Sequence, residues 1–347
     1  MSHLVCGTSC ETGPVWLTWL GVALAVPAAP VAPAATVCVV TDPRLTEISG
    51  MVRTADGYAV VDDGSDLSSH WRIFFLDNRC AVTRTVRYPS TPRDTEDMAQ
   101  ARDGTLWIAD IGDNNRSRPT VALWRLAKGD RSPVLYRLSY PDGAHDAEAL
   151  LLSGDGTPVI VTKDPGRALL YQPAGAPRAG GTVPLREVGA FDLPASGTSN
   201  PYSFAGHLVV TGGANAPDGT RVVLRTYADA YEFPVAGGDV VRAIATGTPR
   251  VVPLPGEPQG ESITYDRDGV SLLTVSEQAT AAQPVVIRYP GPAIAARRST
   301  GTPRGPASAA AGAAPVPVST VVGAVGLAGL GLAALIAVAV RRGRRRR

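Results

Sequence analysis

Through most of the chain, short apolar runs alternate with tight polar turns, a rhythm of β-strands rather than of amphipathic helices. The dipeptide Asp-Gly recurs at Asp56-Gly57, Asp103-Gly104, Asp155-Gly156, Asp218-Gly219 and Asp268-Gly269, at spacings of 47, 52, 63 and 50 residues. One Asp-Gly between apolar runs predicts a hairpin turn; five in phase predict a repeat. Each is followed by an apolar run that ends on polar groups: YAVVDD, TLWIAD, TPVIVTKD, RVVLRTY and SLLTVSE. Seven residues before the Asp stand Glu96, Glu148 and Glu261, with Thr211 in the fourth unit, whereas the first unit has Glu47 nine before its Asp.

A third strand follows in every unit, as WRIFFLDN, VALWRL, RALLYQP, AYEFPV and PVVIRYP. A fourth follows in four of them, as VTRTVRYP, PVLYRLSYP, REVGAFDLP and RVVPLP. Four short strands per repeat of about 50 residues is the pattern of a propeller blade, so the expected fold class is all-β, a β-propeller. The fifth unit lacks a fourth strand, and TVCVVTDP near the N-terminus is placed to supply it, which leaves no open edge. The count is five blades; six remain possible, because the 63-residue spacing hides an insertion near Ala195 to His207.

Hydropathy changes at both ends. Val15 to Ala35 is an apolar stretch closing on small residues with Ala32-Pro33-Ala34 as a cleavage pattern, so residues 1–35 read as a signal peptide, although no Lys or Arg precedes the stretch. Residues 36–290 form the expected propeller ectodomain, and 291–317, rich in Pro, Ala and Gly, a stalk. Val318 to Val340 runs 23 residues without a charge, enough at about 1.5 Å per residue to cross a hydrocarbon core of about 30 Å. The Arg-rich tail at 341–347 places the C-terminus in the cytoplasm by the positive-inside rule, giving a single-pass cell-membrane protein with its ectodomain outside.

Charge and cysteine content agree with that address. The net charge of +2 comes from the tail: without its six Arg, 27 Lys and Arg face 31 Asp and Glu. A slightly acidic domain offers no surface for nucleic acid, and the expected partners are the membrane and an unknown surface ligand or protein. Cys6 and Cys10 would leave with the signal peptide, so Cys38 and Cys80 remain to form one disulfide in an oxidising compartment.

The segments ISGMV, DTEDMA, LWIADIGDNN, YPDGAHDAEALLL, VIVTKD, APDGTRVVLRTYADAYEF and PGEPQGESITYD resemble a family of secreted bacterial β-propellers, loosely similar to phytase-like, esterase-like and NHL/WD40-like propellers. The resemblance covers nearly all of the folded region and implies a propeller, with no assigned reaction. Where an Asp is expected after the two glycines of TGGANAPDG, this chain has Ala214 and Asn215.

The blade-initial positions and the ends of the second strands should open on one face around the channel. That gathers Glu47, Glu96, Asp97, Asp146, Glu148 and Glu261 with Asp62, Asp63, Asp110, Asp113, Asn114, Lys163, Asp164, Arg225, Tyr227 and Glu277. Crowded carboxylates need a cation, and oxygen ligands suit a hard one, so Ca²⁺ is the expected cofactor, with Glu96, Asp110, Asp113 and Glu148 as its candidate ligands. The alternative for each Glu is a cap on backbone N–H groups or a pair with an Arg of the next blade. Lys163, one of only two Lys in the chain, Arg225 and His145 are the candidate catalytic groups. Two readings stay open: a non-catalytic surface-binding module, or a calcium-dependent phytase-like or esterase-like hydrolase. The second requires Lys163 and Arg225 to face an open cavity, whereas mutual ion pairs that close it favour the first. No G-x-S-x-G elbow is present for a Ser-His-Asp hydrolase.

Overall fold

The computed structural model describes residues 33–64, 67–277 and 282–291. The expected stalk, membrane helix and Arg tail, and all but the end of the signal peptide, lie outside these residues. Among the described residues no helix is long and apolar enough to cross a membrane.

β1 (Ala35–Val39) opens the described chain. The first blade is β2 (Ile48–Arg53), β3 (Gly57–Asp62), β4 (Arg72–Asp77) and β5 (Val82–Arg87). The second is β6 (Thr95–Gln100), β7 (Leu106–Asp110), β8 (Val121–Leu126) and β9 (Val134–Ser139). The third is β10 (Ala147–Leu152), β11 (Pro158–Thr162), β12 (Arg167–Pro173) and β13 (Thr182–Asp192). The fourth is β14 (Gly212–Asn215), β15 (Arg221–Arg225), β16 (Asp229–Pro234) and β17 (Arg250–Pro253), with a short helix α1 (Val240–Thr246) before its last strand. The fifth is β18 (Gly260–Tyr265), β19 (Leu272–Ser276) and β20 (Val285–Tyr289), completed by β1, which pairs antiparallel with β20. The protein is thus an all-β propeller, closed by its N-terminal strand as the sequence predicts.

First strands line the axis, each touching the next around a closed ring: β2 with β6, β6 with β10, β10 with β14, β14 with β18, and β18 with β2. The blades pack face to face, and each of the five interfaces holds one apolar cluster. Alternation along each strand sends side chains to both faces of a blade, and both are covered by neighbours, which is why the inner strands read as nearly continuous apolar runs. Trp124, for example, is fully buried between the first and second blades. The second and third blades also share an outer edge. The 11-residue β13 pairs with β12 along one part, and its Thr182–Pro184 end pairs parallel with Arg137–Ser139 of β9.

Between β13 and β14 runs the insertion expected from the long repeat spacing, containing a single 3-10 turn at Ser203–His207. The Asp-Gly turns bring all five first-to-second strand connections to one face, with positive φ at Gly104, Gly156, Gly219 and Gly269. Strand connections from second to third and from blade to blade lie on the opposite face. The Cys38–Cys80 disulfide joins β1 of the closing blade to the β4–β5 turn of the first.

Candidate acidic site at the channel mouth

Four inner strands carry a β-bulge one residue after their start, between Ile48 and Gly50, Thr95 and Asp97, Ala147 and Ala149, and Gly260 and Ser262. The bulged residues are Ser49, Glu96, Glu148 and Glu261. Bulges re-aim side chains and cluster near functional sites; here they turn three glutamates, each under 5% exposed, toward the mouth of the channel. In the first and fourth blades hydroxyls stand at this level, and they close seams between blades. Ser49 Oγ donates to Thr95 O at 2.6 Å, and Thr211 Oγ1 to Gly260 O at 2.9 Å.

One step deeper, the inner strands present Gly50, Asp97, Ala149, Gly213 and Ser262. Asp97 is fully buried and reaches across the axis: its carboxylate accepts from Leu150 N at 2.8 Å, Gly213 N at 3.2 Å and Met98 N at 2.8 Å. Glycine is required opposite it, because a Cβ on Gly50 would stand 2.8 Å from the Asp97 carbonyl carbon. Burial pushes the Asp97 carboxyl up, against the three N–H donors that favour its anion. This side chain stands at mid-channel, below the mouth where the sequence pattern placed it.

At the mouth, the ligand atoms of Asp63, Asp94 and Glu96 lie within 4.8 Å of one another. Asp63 follows β3, and the Gly64 N–H donates to it. Asp94 is held just before β6 because Asp110 accepts from Arg93 N and Asp94 N, both at 3.1 Å. Gly64 and Gly112 form the floor of this group: a Cβ on Gly64 would overlap Asp94, and one on Gly112 would overlap Glu96 and Asp94. Glu96 has no hydrogen-bond or ion-pair partner among the described residues, although it is only 3% exposed. Burial, followed by repulsion from neighbouring carboxylates, pushes Asp63 and Glu96 well above the usual range. Burial also raises Asp94, although the Asp63 hydrogen bond and Arg118 pull it down. Carboxylates raised in this way are short of positive charge.

Across the mouth stands the pair Lys163–Glu148, with Nζ 2.6 Å from Oε1. Tyr227 lies beneath Lys163 Nζ at 5.8 Å and donates to Glu261 at 3.3 Å. Burial works against the charge on Lys163, yet Glu148, Tyr227, Glu261 and Glu96 together hold its pKa well above the usual value. Glu277 is pushed up to about 10 by burial and by Glu261, and Glu47 is raised by burial and Glu261.

The other residues singled out from the sequence have different surroundings. Besides fixing the 93–94 loop, Asp110 accepts from Trp124 Nε1 at 3.2 Å and from Arg118 at 2.8 Å. Asp113 accepts from Ser117 N at 3.0 Å and Arg118 N at 2.7 Å, and so shapes the DIGDNN loop. Of the four candidate ligands, Glu96 therefore stands in the converging group and Glu148 is paired with Lys163. Arg225 is fully buried and donates to Thr226 O, Ser262 O and Glu257 at 3.2, 3.0 and 2.9 Å. Thr274 and Tyr289 hold the same Glu257 at 2.6 and 2.8 Å. His145 lies 3.2 Å from Asp142, 3.2 Å from the Tyr171 hydroxyl and 3.4 Å from Asp164.

Asp94 is the ligand group the sequence reading passed over. Its signal was present: Glu47, Asp94 and Asp146 each stand nine residues before the Asp of their turn, so Glu47 is the counterpart of Asp94 rather than of Glu96.

No protein-family model and no curated protein matches the sequence. Among solved structures the similar ones are propeller-type proteins. A streptogramin B lyase is 12% identical at a TM-score of 0.35, over 70% of this chain and 65% of the lyase's own length. A gluconolactonase from Xanthomonas campestris is 14% identical at a TM-score of 0.40, over 72% of this chain and 75% of its own. A glucose dehydrogenase is 12% identical at a TM-score of 0.44, over 75% of this chain and 100% of its own. Likeness at this level is one of fold alone.

Proposed function

We propose that this chain is an exported propeller, displayed at the cell surface by a helix at Val318–Val340, that holds a divalent cation at its channel mouth and binds a surface ligand there without catalysis. The observation that carries the reading is the group Asp63–Asp94–Glu96, with its glycine floor and a buried Glu96 that has no hydrogen-bond or ion-pair partner among the described residues. Ca²⁺ is the first metal to test: it takes six to eight oxygens at about 2.3–2.6 Å, and three carboxylates leave coordination positions for ligand oxygens or water. A bound cation would relieve the repulsion that raises these carboxyls.

Binding is favoured over metal-assisted hydrolysis by the two cations hydrolysis would need. Lys163 is closed in a pair with Glu148 and Arg225 is buried against Glu257.

Metal analysis of the purified chain and melting curves with and without Ca²⁺ test the site. Ligand bound only to the native state raises stability by about 2.7 kcal/mol at a hundredfold excess over Kd. Wild type is expected to gain stability with Ca²⁺, whereas Glu96→Gln and Asp63→Asn lose that gain and keep the fold. A wild type indifferent to Ca²⁺ and other divalent metals rejects the site, and turnover of a phosphoester or ester would restore the hydrolase. Protease added to intact cells should digest the propeller; digestion only after lysis reverses the proposed orientation.

A further inference from the structure

The opposite end of the channel, on the face of the Asp-Gly turns, opens into a cavity of about 660 Å³. That lies within the roughly 300–1,000 Å³ of small-molecule sites. All of its lining is among the described residues, and it lies on the far side of the Asp97 layer from the acidic mouth. Its wall is apolar around Met98, Leu152 and Ala214, with Ala99, Ala101 and Ala216 leaving it wide.

Three arginines and three aspartates line it, and their partners differ. Asp103 accepts from Thr105 N at 2.9 Å and Asp155 from Thr157 N at 2.9 Å, as caps of their own turns. Asp266 is bridged by Arg53 at 3.3 Å and Arg288 at 2.8 Å. Arg267 donates only to peptide carbonyls, those of Thr54 at 3.1 Å and Ala55. Arg102 has no hydrogen-bond or ion-pair partner among the described residues. Its guanidinium reaches from the second blade's turn to the fourth's, where a Cβ on Gly219 would stand 2.6 Å from a guanidinium nitrogen. Asp266 is thus neutralised by two guanidiniums, and Asp103 and Asp155 are turned to their own Thr turns through one oxygen each, which leaves the guanidiniums of Arg102 and Arg267 without a carboxylate partner among the described residues.

We infer that this cavity is a second binding site, for a small organic carboxylate whose apolar body packs against Met98, Leu152 and Ala214 while its anionic end meets Arg102 and Arg267. The planar guanidinium fork matches a carboxylate bidentately. The rim supplies two such forks over a body-sized apolar space, so an uncharged analogue of the same shape keeps only the apolar contacts.

Calorimetric titration of the full chain in lipid nanodiscs tests this, with empty nanodiscs as the blank. The probes are 2-naphthoate and its uncharged isostere 2-naphthamide. The naphthoate is expected to bind saturably and roughly tenfold tighter than the amide, the size of one charge-assisted hydrogen bond. Arg102→Gln and Arg267→Gln, both at exposed positions, should each reduce that preference while melting like wild type. Absence of saturable binding, equal affinity for the two probes, or a preference untouched by both substitutions would overturn the proposal.

Discussion

At the scale of single residues, charges buried in this protein have one of two fates. Arg225 and Glu257 satisfy each other: each of the three guanidinium nitrogens donates a hydrogen bond and both Glu257 oxygens accept. Removing one member leaves the other charge stranded, which costs about 3–5 kcal/mol. Arg225→Met should lower urea-unfolding stability by that amount; a loss below about 1 kcal/mol would show that the clamp between the fourth and fifth blades contributes little. Glu96 has the other fate, buried with carboxylates for neighbours, and the cation reading rests on that contrast. The sequence made the acidic ring legible, because its spacing from the Asp-Gly turns is fixed by the inner strand. It did not separate ligand-like carboxylates from capping ones. Asp110 and Asp113 read as ligands, yet their oxygens face backbone N–H groups of loops whose course only the folded chain defines.

At the scale of elements, the strand order was legible almost throughout, since Asp-Gly turns and apolar runs are local signals. The insertion before β14 and the closing role of β1 also follow from counting. Bulges were not legible. An extra residue in an inner strand changes no composition, yet it lets the adjacent Glu96 and Asp97 both serve the channel, which strict alternation forbids. The parallel contact of β13 with β9 was equally hidden, because it depends on how two blades meet. The Cys38–Cys80 bond was expected by elimination, and the structure adds what it joins: the closing strand and the first blade. In a loop-closure account it contributes about 2–4 kcal/mol. Replacing both cysteines by Ser should lower the denaturation midpoint accordingly, and non-reducing mass mapping that finds two free thiols would remove the bond from the account.

For the whole molecule, the two kinds of carboxylate predict a stability profile with a single maximum. Asp103 and Asp155 are held below the usual range by backbone hydrogen bonds from Thr105 and Thr157, and Asp42 by its Arg44 partner. Their contribution is present above the unfolded pKa near 4 and is lost as acid protonates them. Glu277 titrates in the opposite sense: it ionises near 4.5 when unfolded and near about 10 when folded. Between those values the native state holds a proton that the unfolded state has released, so stability falls as pH rises. With chelator present, melting temperature should therefore peak near pH 5 and decline toward pH 10, and added Ca²⁺ should flatten the decline; a plateau from pH 5 to 9 without metal would show that the ring is not short of positive charge. The closing blade adds a mechanical consequence. Gly291, where the described chain ends, donates to Ser271 Oγ at 3.2 Å beside the last Asp-Gly turn, so the chain leaves at the end opposite the acidic mouth. Under the proposed surface display, tension between a ligand at the mouth and a tether at Gly291 would run along the strands. β20 would carry that load between two neighbours, β19 and β1, so their hydrogen bonds would resist together in shear instead of parting one by one, and Cys38 would hand part of the force across the seam to the first blade. The junction that closes the ring is also the one that would bear the pull.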